Sequence, residues 1–329
     1  MLKDCSAIKA FDAEALSCRY SMPGKALLFG EYGLLLGLPG VAVTFSDFRV
    51  EVSCTVQGTD TSPVIRVHSA FLKEKILIVD SFEGADFFQG VLAPYEDVLI
   101  KLRKNKKDLT IAVEKSFPPH LGFGSSSALL ASIHAFLFGY LCNDPPLASS
   151  LFFQRLRESL NRIQGTGSGY DATLQLAAKD LSSPQLWMYK RTHDAVLPEF
   201  CPITVQHAPQ EHVHFGTILG TYLYAETKAA LKKFSEEKCF SHARAHGALA
   251  ESFLKDPNVA HLSPLIAQAH SIQQQQGILP DMDLIQNLRQ ENIPFKSLGA
   301  GFGDCLWSPW KACQLQAFQD HIITEIILP

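Results

Sequence analysis

Four glycine-rich segments stand out as candidates for binding and catalysis. The densest is Pro118-Pro119-His120-Leu121-Gly122-Phe123-Gly124-Ser125-Ser126-Ser127-Ala128, set between a strand-like run and a long helical one. Glycines let a backbone approach a ligand closely, and the first N–H groups of a following helix have no partner within it. Those donors, with the positive end of the helix dipole, make an anion site suited to phosphate. The hydroxyls of Ser125, Ser126 and Ser127 add hydrogen bonds or an oxygen ligand for magnesium. An ordinary N-cap at Ser125 or Ser126 is the plainer use of the same residues. The segment is no Walker loop, since GxxxxGK[ST] occurs nowhere, and Ser127 stands where GxGxxG needs its third glycine.

The second segment, Pro23-Gly24-Lys25-Ala26-Leu27-Leu28-Phe29-Gly30-Glu31-Tyr32, sets a lysine at the start of an apolar strand and a Glu-Tyr pair after it. Lys25 could snorkel from an edge strand, or hold a cation near a substrate oxygen where charge develops. In the third, Gly165-Thr166-Gly167-Ser168-Gly169-Tyr170-Asp171, the carboxylate of Asp171 is either a helix cap or a general base. The fourth, Lys296 to Cys305, reads alone as a glycine hairpin. His242 and His246 stand i, i+4 on a helix, but HARAH lacks the glutamate of a zincin, so they read as core or surface histidines.

Periodicity indicates the strands and helices on which these segments sit. Lys25–Phe29, Gly40–Phe45, Arg49–Val56, Val64–His68 and Leu109–Val113 read as strands, and Pro94–Arg103 as a short helix. Helices are expected over Ser126–Cys142 and Leu147–Ile163, with another stretch opening at Asp171. Beyond Ser182-Ser183-Pro184, strands at Ile203–Val205, His212–Leu219, Pro294–Ser297 and Cys305–Ser308 mix with helices. Those helices are Thr227–Phe234, Ser241–Leu254, Leu265–Gln276 and Met282–Gln290. The class is α+β in two lobes, 1–183 and 184–329.

Composition narrows the function classes. With 47% hydrophobic and 19% charged residues the chain is globular, and a net charge of -4 argues against a nucleic acid partner. The basic run Lys101–Lys107 reads as a solvated helix end. Eight cysteines without a CxxC pair fit reduced thiols, and the longest apolar stretch, Ala128–Cys142, is interrupted and too short for a bilayer. A cytoplasmic protein acting on a small molecule, as monomer or homodimer and away from membranes, is expected.

The segments PGKALLFGEYGLLLG, PHLGFGSSSA and GAGFGDC, in that order with SGYD between the last two, resemble the GHMP kinases. This superfamily holds galactokinase, homoserine kinase, mevalonate kinase and phosphomevalonate kinase, and the resemblance spans residues 20 to 308. It implies a lobe like ribosomal protein S5 domain 2 followed by a ferredoxin-like lobe, and ATP with Mg2+ as cofactors. By the same resemblance Gly122, Gly124, Ser125, Ser126 and Ser127 hold the ATP phosphates, with Ser126 on magnesium. Asp171 matches the catalytic aspartate, and Lys25 the lysine beside it. Glu31, Tyr32, Ser168, Gly169, Gly299, Ala300 and Gly301 fall on the substrate side.

Within the superfamily, mevalonate kinases usually show GEH, HGxPSGxD and a magnesium-binding glutamate upstream of the aspartate. Here Tyr32, Gln164, Gly167 and Leu160 occupy those positions. GEY, GSGxD and GDC lean towards phosphomevalonate kinases, so 5-phosphomevalonate is the expected acceptor, with mevalonate the alternative. A non-catalytic ligand sensor on the same fold is the reading from a different class.

Overall fold

The computed structural model describes residues 15–69, 77–78, 87–141, 145–165, 167–191, 195, 197–206, 212–221, 236–279, 282–298 and 305–329. The chain forms two compact units and passes repeatedly between them. One takes Met1–Gly24, Asp47–Phe117 and Ser125–Asp180; the other takes Lys25–Ser46, Pro118–Gly124 and Leu181–Pro329. The last crossing falls between Asp180 and Leu181. The second unit also claims two short segments of the N-terminal half, those carrying Lys25 and Gly122, which composition does not mark.

In the first unit the outer part of strand Gly40–Gly58 pairs antiparallel with Lys107–Lys115, placing Val52 opposite Val113. Lys107–Lys115 also pairs in parallel with Ile65–Ser69, which pairs antiparallel with Leu77–Ile78. The expected break between Gly40–Phe45 and Arg49–Val56 is absent. The strand runs on through Ser46-Asp47-Phe48, where the chain changes unit.

Helix Ser125–Leu141 is apolar nearly all round, and Ala128, Leu130, Ala131, Ile133, Phe136, Leu137 and Phe138 are buried, which makes it the core helix of this unit. His134 sits inside it as a satisfied core histidine, its Nδ1 2.9 Å from the Tyr95 hydroxyl and its Nε2 2.9 Å from Ser159 Oγ. Burial, with the nearby Arg155, holds His134 down at about 3. Helix Ser150–Gln164 is amphipathic, burying Phe152, Phe153 and Leu156. It stops at Gly165, whose left-handed φ of 83° lets its N–H reach back to Asn161 O. The short helices Phe87–Leu92, Glu96–Lys104 and Tyr170–Ala177 complete the unit. Lys101, Lys104 and Lys106 are exposed, as a solvated helix end requires.

In the second unit Gly40–Thr44 pairs with Gln185–Tyr189, and Gln185–Lys190 with Glu199–Pro202. The pairing of Phe200 with Tyr189 puts this strand just ahead of the expected Ile203–Val205. A separate antiparallel sheet runs in the order Ile322–Leu328, Val213–Gly220, Cys305–Ser308, Lys296–Ser297. Helices Glu236–Lys255, Leu262–Gln275 and Asp283–Gln290 belong to the same unit. Its core gathers Leu219, Leu284, Leu288, Phe295, Leu306 and Phe318. The helix expected over Thr227–Phe234 lies outside the described residues. Among the described residues Cys18, Cys54, Cys201, Cys305 and Cys313 are free thiols, and no helix is long and apolar enough to cross a membrane.

Candidate active site

The phosphate-loop candidate is built from two left-handed glycines. Gly122 has φ 66° and Gly124 φ 77°, conformations that cost a side chain strain, and helix Ser125–Leu141 starts directly after them. Ser125, Ser126 and Ser127 therefore fall inside the first turn, where the backbone N–H groups have no partner within the helix. Ser126 is exposed, so its hydroxyl is open to a cation or phosphate. Ser127 has a different use: its hydroxyl donates to Gln175 Oε1 at 2.8 Å, and Gln175 Nε2 donates to Pro23 O at 2.8 Å. The loop and helix start suit a phosphate group with a magnesium ion.

Lys25 is buried in strand Ala15–Phe29, and its N–H donates to Phe123 O at 2.9 Å. It lines a small recess together with Leu27, Gly122, Phe123, Leu298 and Cys305. The Cys305 thiol contacts Leu121 O at 3.1 Å, and Leu298 N–H bonds Cys305 O at 2.9 Å. Lys25 and Gly122, distant in sequence, thus share one wall, flanked by the two ends of the late glycine segment. Gly299, Ala300 and Gly301 themselves lie outside the described residues.

Asp171 is half-buried in the first turn of helix Tyr170–Ala177, entered through Gly169 at φ 78°. Ser168 Oγ accepts the Tyr170 N–H at 3.4 Å, and the Thr173 hydroxyl donates to Gly169 O at 2.7 Å. Ser168 and Gly169 shape this turn. Leu160 packs beside it, since a Cβ on Gly167 would come within 3.2 Å of Leu160 Cβ. Glu158 is exposed and pairs with Arg162 at 3.1 Å. Asp171 and Lys25 belong to different compact units.

Glu31 and Tyr32 occupy a tight turn of the second unit. Gly30 has φ 96°, and a Cβ there would meet Pro39 O at 2.6 Å; Tyr32 follows at φ 59°, rare for an aromatic residue. The Glu31 carboxylate, 2% exposed, is paired through Oε1 with the ammonium of Lys296, while His246 Nδ1 lies 2.7 Å from Oε2. Burial pushes this carboxyl up, yet Lys296 and His246, by charge and hydrogen bonding, outweigh it and hold it at about 2. Burial draws Lys296 below its usual range, with Glu31 recovering part. His242, one turn before His246, packs beside it with the rings tilted, 4.3 Å between centroids, and meets the Tyr32 ring edge-on at 5.2 Å. Burial and His246 hold His242 down at about 3. These three partners were not expected from the sequence. The signals were a lysine inside the apolar PFKSL run and two histidines one turn apart.

Residues 91–178 match the family model described as GHMP kinases N terminal domain. A stretch of 162 residues is 30% identical to the mevalonate kinase of Aeropyrum pernix, and the match spans about half of each protein, 48% of this chain and 48% of the relative. The fold resembles the mevalonate kinase of Methanococcus jannaschii, with a TM-score of 0.66 over 95% of this chain and 99% of that one at 15% identity. It also resembles the phosphomevalonate kinase of Streptococcus pneumoniae, solved in complex with phosphomevalonate and AMPPNP. There the TM-score is 0.62 over 94% of this chain and all of that one, again at 15% identity. The α+β fold is the one these kinases share, and the family match itself lies within residues 91–178.

Proposed function

We propose that the chain is an ATP-dependent kinase that phosphorylates a small isoprenoid precursor of the mevalonate pathway, with 5-phosphomevalonate as its acceptor. The observation that carries the kinase reading is the pair of left-handed glycines, Gly122 and Gly124, opening directly onto the first turn of helix Ser125–Leu141. Phosphoryl transfer asks a protein mainly for positioning and for neutralisation of phosphate charge, and this arrangement supplies both. Mg2+–ATP, when bound, supplies the electrophilic phosphoryl group. The backbone N–H groups of Gly122 to Ser127 hold its phosphates, and the exposed Ser126 hydroxyl serves the magnesium. Asp171 orients the acceptor oxygen or takes its proton, and Lys25 favours the negative charge that shifts during transfer.

The choice of 5-phosphomevalonate rests on Tyr32, Gly167 and Leu160. Leu160 leaves no carboxylate where mevalonate kinases place one, and it packs against the turn before Asp171. Mevalonate is the second reading, favoured by the relative from Aeropyrum pernix. A coupled ADP-release assay against mevalonate, 5-phosphomevalonate, homoserine, galactose and a diphosphocytidyl polyol tests both. Turnover of 5-phosphomevalonate with the highest specificity constant is expected. Mevalonate turned over at least about tenfold better, about 1.4 kcal/mol in barrier, reverses the choice. ATP binding without turnover of any acceptor indicates a ligand sensor instead.

A further inference from the structure

We propose that Gln175 is a positioning residue for phosphoryl transfer, its one buried side-chain amide fixing the Asp171 helix against the first turn of the phosphate-loop helix. The inference rests on the kinase reading above, in which Asp171 and that first turn act on the reacting groups.

Gln175 is fully buried, and both ends of its amide are engaged: Oε1 accepts the Ser127 hydroxyl and Nε2 donates to the Pro23 carbonyl, each at 2.8 Å. Pro23 and Ser127 belong to two of the glycine-rich segments, Gln175 belongs to the helix that follows a third, and all three lie in the same compact unit. Gln175 lies one helical turn beyond Asp171, so the two side chains project from the same side of helix Tyr170–Ala177. Ser127 lies one residue beyond Ser126, and Pro23 two residues before Lys25. The helix has only eight residues, too few to hold itself in place, and it enters through a glycine at φ 78°. The Thr173 hydroxyl closes the turn onto Gly169 O. That bond is local and sets no register with another element. The Gln175 amide does, because a planar group donating at one end and accepting at the other admits a single orientation between its two partners. Displacement of a catalytic group by about 1 Å is enough to cost on the order of 10²-fold in rate.

The test compares wild type with Gln175→Met, Gln175→Glu, Ser127→Ala and Asp171→Asn, reading thermal melting, ATP affinity by calorimetry, and kcat and KM by ADP release. Gln175→Met keeps the volume and removes both bonds. A fall in kcat of about 10²-fold is expected, in a protein that still melts cooperatively and binds ATP within a few-fold of wild type. Gln175→Glu adds a readout that a purely structural role would not move. Its ionised carboxylate opposes the Pro23 carbonyl, whereas the protonated acid can donate to that carbonyl and still accept from Ser127. The ratio of its kcat to that of wild type should therefore rise as the pH is lowered. Should Gln175→Met fail to fold, Gln175→Glu and the single-bond variant Ser127→Ala decide the matter. An active wild type with Gln175→Met equally active, or a Gln175→Glu ratio flat with pH, overturns the positioning role and leaves the kinase reading standing. A wild type that turns over none of the acceptors removes the kinase reading, and the positioning role falls with it.

Discussion

Replacing Glu31 by Gln should destabilise the second unit by about 3–5 kcal/mol, the cost of stranding one charge of a buried pair. The size follows from the surroundings. Lys296 is 0% exposed with its ammonium against one oxygen of Glu31, while His246, also 0% exposed, lies against the other carboxylate oxygen. A carboxyl moved from 4.5 to about 2 favours its ionised form in the folded state by about 3 kcal/mol at neutral pH. Lys296 offsets part of this, because burial lowers its own value. Urea denaturation of Glu31→Gln, Lys296→Met and the double variant measures the effect. Removing both charges should recover much of the loss, since a buried pair replaced by neutral groups of similar volume is often no less stable. At about 2–4 °C per kcal/mol for a unit of this size, the single variants should also melt roughly 10 °C lower. If Glu31→Gln shifts the midpoint by less than about 1 kcal/mol, or the double variant is as unstable as the two losses summed, the pair is not the closed buried contact described above.

Three other outcomes are expected. Gly124→Val should weaken ATP binding by calorimetry, because a β-branched residue at φ 77° is strained and its side chain crowds the phosphate approach; unchanged affinity removes the loop from the site. Ser126→Ala should raise the magnesium concentration needed for half-maximal rate while leaving the melting temperature close to wild type, since this hydroxyl is exposed. Stability should decline as pH falls below 6.5. His134 and His242, buried and held neutral at about 3 each, take up protons only on unfolding, each adding about 1.4 kcal/mol per pH unit of slope. Glu31, whose stabilisation is complete above 4.5, adds to the loss between 4.5 and about 2. Denaturation midpoints that stay flat from pH 7 down to about 4 would contradict both assignments.

What was legible in the sequence traces to glycine. Gly30, Gly122, Gly124 and Gly169 all take positive φ, so their spacing is a direct imprint of backbone conformation and marks three of the four segments without any structure. Helices such as Ser125–Leu141 and Ser150–Gln164 were legible for a similar reason, being set by local periodicity and ended by local stops. The partners of Glu31 were not. Lys296 is 265 positions away, and no local pattern encodes which lysine will meet which carboxylate once the sheet has brought Lys296–Ser297 into place. Strand Gln185–Lys190 was hidden because its central position pairs it on both sides, so it carries no clean alternation of polar and apolar residues. The passage of Lys25–Ser46 into the second unit was hidden too, because nothing in the composition of a continuous strand marks where it changes neighbours.

The two candidate acceptors differ in a way that Asp171 itself can report. Mevalonate presents a hydroxyl, which must lose a proton during transfer, so a carboxylate in place is worth about 10²–10⁴-fold. In 5-phosphomevalonate the accepting oxygen belongs to a phosphate whose second ionisation lies near ~6, and above that pH it carries no proton to remove. With the phosphate acceptor, the acid limb of kcat/KM belongs to the substrate, and Asp171→Asn should lower the rate while leaving that limb near ~6. With the hydroxyl acceptor the substrate supplies no limb near ~6, and Asp171→Asn should remove most of the rate. A phosphate acceptor also brings two negative charges that need cations near them, which Lys25 answers in part. Lys25→Met should then raise the KM for 5-phosphomevalonate more than that for mevalonate. A rate profile without an acid limb near ~6, with Lys25→Met raising both KM values alike, would assign the site to the hydroxyl acceptor.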